Sequence, residues 1–212
     1  TSFDGVSLWR PWNIDPSWKT QSGQAWFHID QHPISKPGKQ CIQGLINLLP
    51  TSKEIGGNVV IPKSHNFFKD LPEEYKERVE RLPLDIDHFR FPHDDPKLSS
   101  EPAVMAHMEP GDMLLWDSRT IHCSSSGSSL PEGTNDLIRA ASLICMMPKK
   151  LSSKEILDKR IHAAENLVST TNWTNDFRNA DEFPIILEAE NRDQYKWPKK
   201  PNLSDYQKEL IA

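Results

Sequence analysis

Cysteine is scarce in this chain. Only three cysteines occur among 212 residues, at positions 41, 123 and 145. An odd number at such wide spacing fits neither a disulfide framework nor a zinc finger, so we expect a reducing, intracellular and cytoplasmic environment. Long apolar runs are missing too, since none approaches the roughly 18 residues that span a bilayer, and no signal peptide is visible. The sequence therefore predicts no membrane span.

Basic clusters are absent as well. The formal net charge is −5, and Lys149-Lys150 and Lys199-Lys200 are only doublets beside prolines. A chain of this kind lacks the positive surface that binds nucleic acid or an anionic membrane, so we expect neither as a partner. The 17 prolines indicate many turns and few long helices.

The length of the chain favours one domain with a sizeable core. We expect a core over residues 26–147 and a helical and irregular extension over residues 148–212. The chain opens on Thr1 and reaches its first clear strand within 30 residues. We therefore expect an N-terminal part to precede this single domain.

Short apolar or alternating segments recur along the chain, which is typical of β-strands. They cover residues 26–30, 40–49, 58–62, 103–108, 113–116 and 137–147. Helices are predicted over 72–82, after a capping box of Ser152 and Glu155, and at the end after Ser204 and Gln207. Residues 1–25 and 83–102 have no period, the second being a candidate lid, and the serine run 124–129 is expected to be mobile. Without βαβ alternation, this pattern predicts a β-sandwich or jelly roll with peripheral helices.

A metal-binding pattern stands in the first strand. His28 and Asp30 are two residues apart and therefore point to one face, as in a 2-His-1-carboxylate site that holds Fe(II) and leaves three positions open. A solvated or hydrogen-bonded surface pair is the ordinary alternative. For the third ligand, His122 stands at a strand end before the serine run, where a site at the mouth of a barrel collects its residues. His65 remains open as the other candidate.

Two polar residues interrupt apolar strands. Arg139 lies inside the segment Leu137-Ile138-Arg139-Ala140-Ala141, and a buried arginine needs a partner. A dicarboxylate such as 2-oxoglutarate would match its planar fork, while an internal salt bridge or a side chain reaching solvent from a sheet edge would also explain it. Gln43 is either a satisfied core amide or a ligand contact.

A competing cluster occupies the proline-flanked stretch around His93-Asp94-Asp95, with His88, Asp85 and Asp87 nearby. It also contains a His-x-Asp spacing. A loop holds convergent ligands less rigidly than a strand does, so we interpret this stretch as a solvated acidic loop.

The order of these features resembles the phytanoyl-CoA dioxygenase family of Fe(II)/2-oxoglutarate oxygenases. The resemblance runs from about Trp26 to Met147 and includes His28-x-Asp30, the block Gly56-Gly57-Asn58-Val59-Val60-Ile61-Pro62-Lys63-Ser64-His65, and Pro110-Gly111-Asp112-Met113-Leu114-Leu115-Trp116 leading to His122 and Arg139. Lys63 stands where the family usually has glycine, and the 17 residues from His122 to Arg139 are more than usual.

The resemblance implies a fold, a chemistry and a set of site residues. It implies a double-stranded β-helix (jelly roll, cupin-like), with His28, Asp30 and His122 as iron ligands, Arg139 on the distal carboxylate of 2-oxoglutarate, and Gln43 as a further cosubstrate contact. His65 would then end a turn and would not bind metal. The implied cosubstrates are 2-oxoglutarate and O2, with ascorbate as a supporting reductant, and the implied substrate is a small or acyl molecule. Because Asp30 is present where related halogenases have a small residue, hydroxylation is favoured.

A second function of another class uses the same three ligands. A non-oxidative cupin-like metal-binding protein or a zinc enzyme would need His28, Asp30 and His122 but would not need Arg139. Arg139 therefore distinguishes the two hypotheses.

Overall fold

The computed structural model describes residues 1–2, 5–19, 26–168, 170, 172–177 and 199–211. These residues form two compact units, one made of Thr1–Gly5 with Leu143–Ala212 and the other of Val6–Ser142. The expectation of one domain with a core over 26–147 and an extension over 148–212 stays a prediction.

Within the described ranges, nine strands form two antiparallel sheets. In chain order they are β1 (Val6–Trp9), β2 (His28–Asp30), β3 (Ile42–Asn47), β4 (Gly57–Val60), β5 (His88–Arg90), β6 (Val104–Met105), β7 (Met113–Asp117), β8 (His122–Ser125) and β9 (Arg139–Met146). One sheet has the order β1-β9-β3-β7 and the other β5-β2-β8-β4-β6. Neighbours in space are mostly distant in sequence, as in a jelly roll. The predicted double-stranded β-helix is thus confirmed.

The helices in the described part of the chain are few and short. They are α1 (Leu71–Glu74), α2 (Lys76–Arg81), α3 (Lys154–Glu165) and α4 (Asp205–Ile211), with 3-10 segments at Pro16–Trp18, Ser64–Asp70, Pro96–Ser99 and Lys149–Leu151. Among the described residues, no helix combines the length and the apolar character needed to cross a membrane.

The main apolar core lies behind the five-stranded sheet. Phe27 and Ile29 alternate with His28 and Asp30 along the chain, and they pack with Phe68, Leu71 and Val79 of the following 3-10 and helical segments. Because successive side chains of a strand point to opposite faces, burying Phe27 and Ile29 here turns His28 and Asp30 to the other face. The core therefore sets the orientation of the candidate ligands.

The stretch 83–102 is not the structureless loop that its composition predicts. Strand β5 pairs with β2, placing His88 opposite Asp30, and Pro96–Ser99 forms a 3-10 turn whose start is capped by Asp95. A three-residue strand is too short to show a period, and its pairing with β2 is a tertiary contact. Strand β1 escapes prediction for a similar reason, being four residues long.

The serine run is also more ordered than expected. His122–Ser125 is strand β8, and Ser128 and Ser129 donate their backbone N–H groups to the carbonyls of Lys53 and Glu54. Backbone pairing with residues 53–57 explains why a composition typical of linkers is held in place here.

Side-chain caps determine where the helices begin. The structure corrects the predicted cap of α3 and agrees with the predicted cap of α4. Helix α3 is capped by Ser153, whose side chain accepts from the N–H of Ile156, and not by the predicted Ser152. At α4, Ser204 Oγ accepts from the N–H of Gln207 at 3.2 Å while Gln207 Oε1 accepts from the N–H of Ser204 at 2.9 Å. This reciprocal pair is the predicted capping box. The predicted helix over 72–82 is broken at Tyr75 into α1 and α2.

Candidate active site

The side chains of His28 and Asp30 lie side by side on β2. His28 Nε2 is 3.4 Å from Asp30 Oδ1, and the two side chains are 6% and 24% exposed. The strand therefore presents one imidazole and one carboxylate together in a mostly buried position.

His122 joins this pair from the next strand. It begins β8, where it lies opposite His28 on one side and Val60 of β4 on the other. His122 Nε2 is 3.4 Å from Asp30 Oδ2, and the rings of His28 and His122 are 4.4 Å apart between centroids. The structure thus brings together the three residues that the sequence predicts as ligands.

The two histidines present the same ring nitrogen to Asp30. His28 Nδ1 is 3.0 Å from the carbonyl oxygen of Trp26, and His122 Nδ1 is 2.9 Å from that of Thr120. A carbonyl only accepts, so in both rings Nδ1 carries a proton, which leaves Nε2 as the ring nitrogen that can bind a metal when the ring is neutral. Backbone carbonyls that orient metal-binding histidines in this way are the usual partners of such ligands.

The electrostatics of the cluster suit a cation. Burial, followed by the neighbouring His122, lowers the pKa of His28 to about 3, so its ring is neutral at neutral pH. Burial by itself would raise the pKa of Asp30, but the interactions with the adjacent imidazoles of His122, His88 and His28 outweigh it and hold that pKa well below its ordinary value. A neutral imidazole and an ionised carboxylate are the forms that bind metals.

The segment that holds His122 is fixed by the turn after β4. Ser64 is buried, and its Oγ donates to the carbonyl of Ile61 at 2.7 Å while accepting from the N–H of Ile121 at 2.8 Å. Ile61 N donates to the carbonyl of Ile121 at 2.9 Å. The Ile61-to-His65 turn is thus joined to the residue before His122, which gives it a structural role. Lys63 adopts φ 61°, a conformation that favours glycine.

A fourth group that could bind metal stands beside the three. His88 Nδ1 lies 3.5 Å from Asp30 Oδ1, and His28, Asp30 and His88 have ligand atoms within 4.8 Å of one another. However, Arg90 Nε donates to His88 Nε2 at 3.0 Å. Arginine never accepts, so His88 Nε2 must accept and Nδ1 must carry the proton. His88 therefore faces Asp30 with a protonated nitrogen that cannot bind a metal, whereas His28 and His122 face it with Nε2.

Gln43 reaches the same carboxylate from the four-stranded sheet. Its Nε2 donates to Asp30 Oδ2 at 2.9 Å, and its Oε1 accepts from Trp116 Nε1 at 3.1 Å. The predicted cosubstrate role of Gln43 stays a prediction, while the geometry commits its amide to Asp30.

Arg139 lies at the start of β9, opposite Trp9 of β1. It is 2% exposed, and its Nε and Nη1 have no hydrogen-bond acceptor among the described residues. Its Cζ is 5.3 Å from the centroid of the Trp9 ring, and burial lowers its pKa to about 10. The internal salt bridge that sequence reasoning left open is not found in the described part of the chain. Buried donors of this kind fit an anionic group that is bound from outside the chain.

The competing cluster at residues 85–95 does not assemble into one site. Asp95 is buried and accepts from the hydroxyl of Tyr75 and from the N–H of Lys97, whereas His93 is exposed. Asp87 pairs with Lys36. Only His88, through β5, reaches the cluster around Asp30.

Comparison with known proteins identifies the family of this chain. The model of the phytanoyl-CoA dioxygenase family matches residues 14–130, more than half of the chain. The chain belongs to this family. The Ava biosynthesis cluster protein O of Aspergillus versicolor is a relative that is 30% identical over 178 residues, covering 80% of this chain and 53% of the relative. This member of the phytanoyl-CoA dioxygenase family thus spans about half the length of that curated relative.

Solved structures resemble the chain more distantly. AviO1 from Streptomyces viridochromogenes Tue57 has a TM-score of 0.41 and 16% identity, covering 68% of this chain and 48% of its own. EctD from S. alaskensis, solved with 2-oxoglutarate and 5-hydroxyectoine, has a TM-score of 0.36 and 14% identity, covering 67% and 44%.

Sequence reasoning misses the role of His88 in this family member. The residue lies 58 positions from Asp30 and joins it only because β5 pairs with β2. The alternation of His88, Phe89 and Arg90, with Phe89 in the core, is the one local signal, and three residues are too few to be distinguished from a loop.

Proposed function

We propose that this chain is an Fe(II)/2-oxoglutarate-dependent dioxygenase that hydroxylates a small molecule. The observation that carries the proposal is the convergence of His28 Nε2 and His122 Nε2 on the carboxylate of Asp30, each at 3.4 Å. Two imidazoles and one carboxylate form the ligand set of non-haem Fe(II) oxygenases. Membership of the phytanoyl-CoA dioxygenase family supports it.

The donor set fits such a metal. Both Nδ1 atoms donate to carbonyls, so Nε2 is the nitrogen of each ring that is left to bind a metal, and Asp30 is ionised. When bound, Fe(II) with 2-oxoglutarate and O2 supplies the oxidation of a substrate C–H bond together with decarboxylation of 2-oxoglutarate to succinate and CO2. His28, Asp30 and His122 would hold the metal, and a set of three protein ligands would leave coordination positions open for the cosubstrates.

Arg139 separates this proposal from the zinc and cupin alternative. Its guanidinium is buried with two donors that lack acceptors. A planar guanidinium binds a carboxylate in a bidentate manner, and in a buried position such a charged pair is strong. We assign to Arg139 the binding of the distal carboxylate of 2-oxoglutarate, a function that a zinc hydrolase does not need.

The substrate class that we propose is a small biosynthetic molecule. The sequence has no basic block for a large polyanionic partner. The Aspergillus versicolor relative is a biosynthesis cluster protein by name, which supports this class. Trp26, which stacks on His28 at 4.4 Å between ring centroids, is the aromatic side chain that we expect to face the substrate.

The test is succinate formation from 2-oxoglutarate by the purified protein with Fe(II) and ascorbate, with and without a library of small molecules. We expect slow turnover alone and faster turnover with a substrate. His122→Ala should abolish both, because one of three ligands is lost, whereas His93→Ala, an exposed residue outside the cluster, should leave both nearly unchanged. The proposal is refuted if the wild-type protein forms no succinate and does not bind 2-oxoglutarate. Equal loss in both variants would refute the assignment of His122.

A further inference from the structure

Both oxygens of Asp30 are contacted by side chains other than His28 and His122. Gln43 Nε2 lies 2.9 Å from Oδ2, and His88 Nδ1 lies 3.5 Å from Oδ1. Gln43 comes from β3 of the four-stranded sheet and His88 from β5 of the other sheet. The carboxylate is thus held from two different directions.

The orientation of the Gln43 amide is determined by Trp116. An indole N–H donates and never accepts, so the group that meets Trp116 Nε1 must be the amide oxygen of Gln43. The NH2 group then points to Asp30, where it donates. Gln43 is 6% exposed, so water has little access to compete for these bonds.

The ring of His88 is oriented by the same logic. Arg90 is a permanent cation with donors only, so its bond to His88 Nε2 places the His88 proton on Nδ1, toward Asp30. Arg90 also lies over the Trp26 ring, with its Cζ 5.3 Å from the ring centroid. A protonated Nδ1 has no lone pair for a metal.

We propose that Gln43 and His88 are positioning residues that hold Asp30 through two directed relays. One relay runs from Trp116 through Gln43 to Oδ2, and the other from Arg90 through His88 to Oδ1. Trp116 and Arg90 can only donate hydrogen bonds. Each therefore orients the next side chain, Gln43 or His88, so that its N–H points to the carboxylate of Asp30. The inference rests on the proposed metal site and adds that His88 is not a ligand.

This arrangement has a consequence for the metal. A carboxylate that accepts hydrogen bonds on both oxygens is fixed in rotation, so it meets the metal in one orientation. If His88 were instead a fourth ligand, only two coordination positions would remain, too few for chelating 2-oxoglutarate together with O2. Holding His88 as a donor keeps three positions open.

Co(II) affinity of the purified protein, measured by titration of its visible absorption, tests the Gln43 relay. Gln43→Met keeps the length of the side chain but donates no hydrogen bond, and we expect Co(II) to bind about 10- to 100-fold more weakly, as is usual when such a partner is lost. Trp116→Phe should weaken binding less. In the double variant, Trp116→Phe should add nothing, because Trp116 acts through Gln43. Additive effects, or affinity within twofold of wild type in Gln43→Met, would overturn the relay.

The His88 relay is tested by comparing two substitutions. His88→Asn keeps an N–H donor near the position of Nδ1 and should retain the wild-type affinity within about threefold, whereas His88→Leu should lose up to about tenfold, less than Gln43→Met because the contact is longer. The shape of the Co(II) spectrum should stay the same in both variants. A spectrum that shows loss of a nitrogen ligand in both would make His88 a ligand and overturn the proposal.

Controls separate this inference from the proposed function. His107→Asn changes an exposed histidine and should leave the affinity unchanged. Unfolding midpoints of the metal-free variants report whether each one folds. A wild-type protein that binds neither Co(II) nor Fe(II) would contradict the proposed function and the inference together. Tight wild-type binding with unchanged Gln43→Met and His88→Leu variants would contradict the inference alone.

Discussion

At the scale of single residues, Arg139 carries a charge that no described carboxylate neutralises. A buried charge without a partner carries an uncompensated desolvation cost, which replacement by an apolar side chain removes. We therefore expect Arg139→Met to raise the free energy of unfolding of the ligand-free protein, measured in urea. The same change should abolish the increase in thermal midpoint that 2-oxoglutarate gives the wild-type protein.

The matched control for this prediction is Arg119→Met. Arg119 is paired with Asp117, with its Nη2 2.7 Å from Oδ2, so its loss should not affect cosubstrate binding. A thermal shift with 2-oxoglutarate that survives in Arg139→Met would contradict the assignment of Arg139.

The three cysteines give a second prediction at this scale. All three are buried, and burial raises the pKa of Cys123 to about 12. At pH 8 a thiol of that pKa is a thiolate in only about one molecule in 10⁴. We expect iodoacetamide to label none of the cysteines in the folded protein and all three in urea, as counted by mass spectrometry. A Ser129→Cys variant, at an exposed position, should react at once, and rapid labelling of any native cysteine would disprove the prediction.

The local sequence can predict only those site residues that lie close together on one strand. His28 and Asp30 are predictable because a strand repeats every two residues, and Arg139 because a charge interrupts an apolar run. The partners of Asp30 are not, since Gln43 and His88 are 13 and 58 residues away. Their roles depend on which strands pair, and pairing is a property of the whole fold.

At the scale of elements, Gly56 and Gly127 allow the backbone of the serine run 124–129 to approach the backbone of residues 54–57 closely. A Cβ on Gly56, which has φ 102°, would lie 2.1 Å from the carbonyl oxygen of Ser125. A Cβ on Gly127, with φ 76°, would lie 2.1 Å from the carbonyl oxygen of Glu54. Both neighbours are backbone atoms, so neither can move aside without displacing the chain, at the end of β8 for Ser125 and in the turn before β4 for Glu54. The close approach explains why glycine is required at both positions.

Gly56→Ala and Gly127→Ala should therefore destabilise the protein by about 3 kcal/mol or more, through backbone displacement added to an unfavourable φ. Gly133→Ala is the matched control, because Gly133 has φ 78° with nothing within 4 Å of the added carbon. It should cost only about 1 kcal/mol, from the backbone conformation alone. Urea denaturation of the three variants measures the difference, and similar losses in all three would show that the close contacts do not matter.

Element prediction from sequence succeeds where a pattern is long and fails where it is short. The segment 40–49 is found as Ile42–Asn47 and the segment 137–147 as Arg139–Met146. Strand β1, with four residues, and β5, with three, carry too little periodicity to be recognised. Each is stabilised by pairing with a neighbour, β9 or β2, which lies far away in sequence.

At the scale of the whole molecule, one face of the four-stranded sheet is apolar at both edges. Val6 and Leu8 on β1 are 56% and 59% exposed, and Met113 and Leu115 on β7 are 53% and 48% exposed. On the same strands Trp9 and Trp116 point to the opposite face, toward Arg139 and Gln43. The alternation that builds the site on one face therefore leaves an apolar surface on the other.

Exposed apolar surface of this extent binds hydrophobic dyes. We expect the purified protein to enhance the fluorescence of anilinonaphthalene sulfonate and the double variant Leu8→Lys, Leu115→Lys to reduce that enhancement severalfold. Leu84→Lys changes a leucine that is 65% exposed but lies outside the sheet, so it should have little effect. Co(II) affinity should be unchanged in all variants, because the altered side chains face away from Asp30. If the double variant binds as much dye as the wild-type protein, then the dye-binding surface lies elsewhere and this face is not the molecule's main apolar surface.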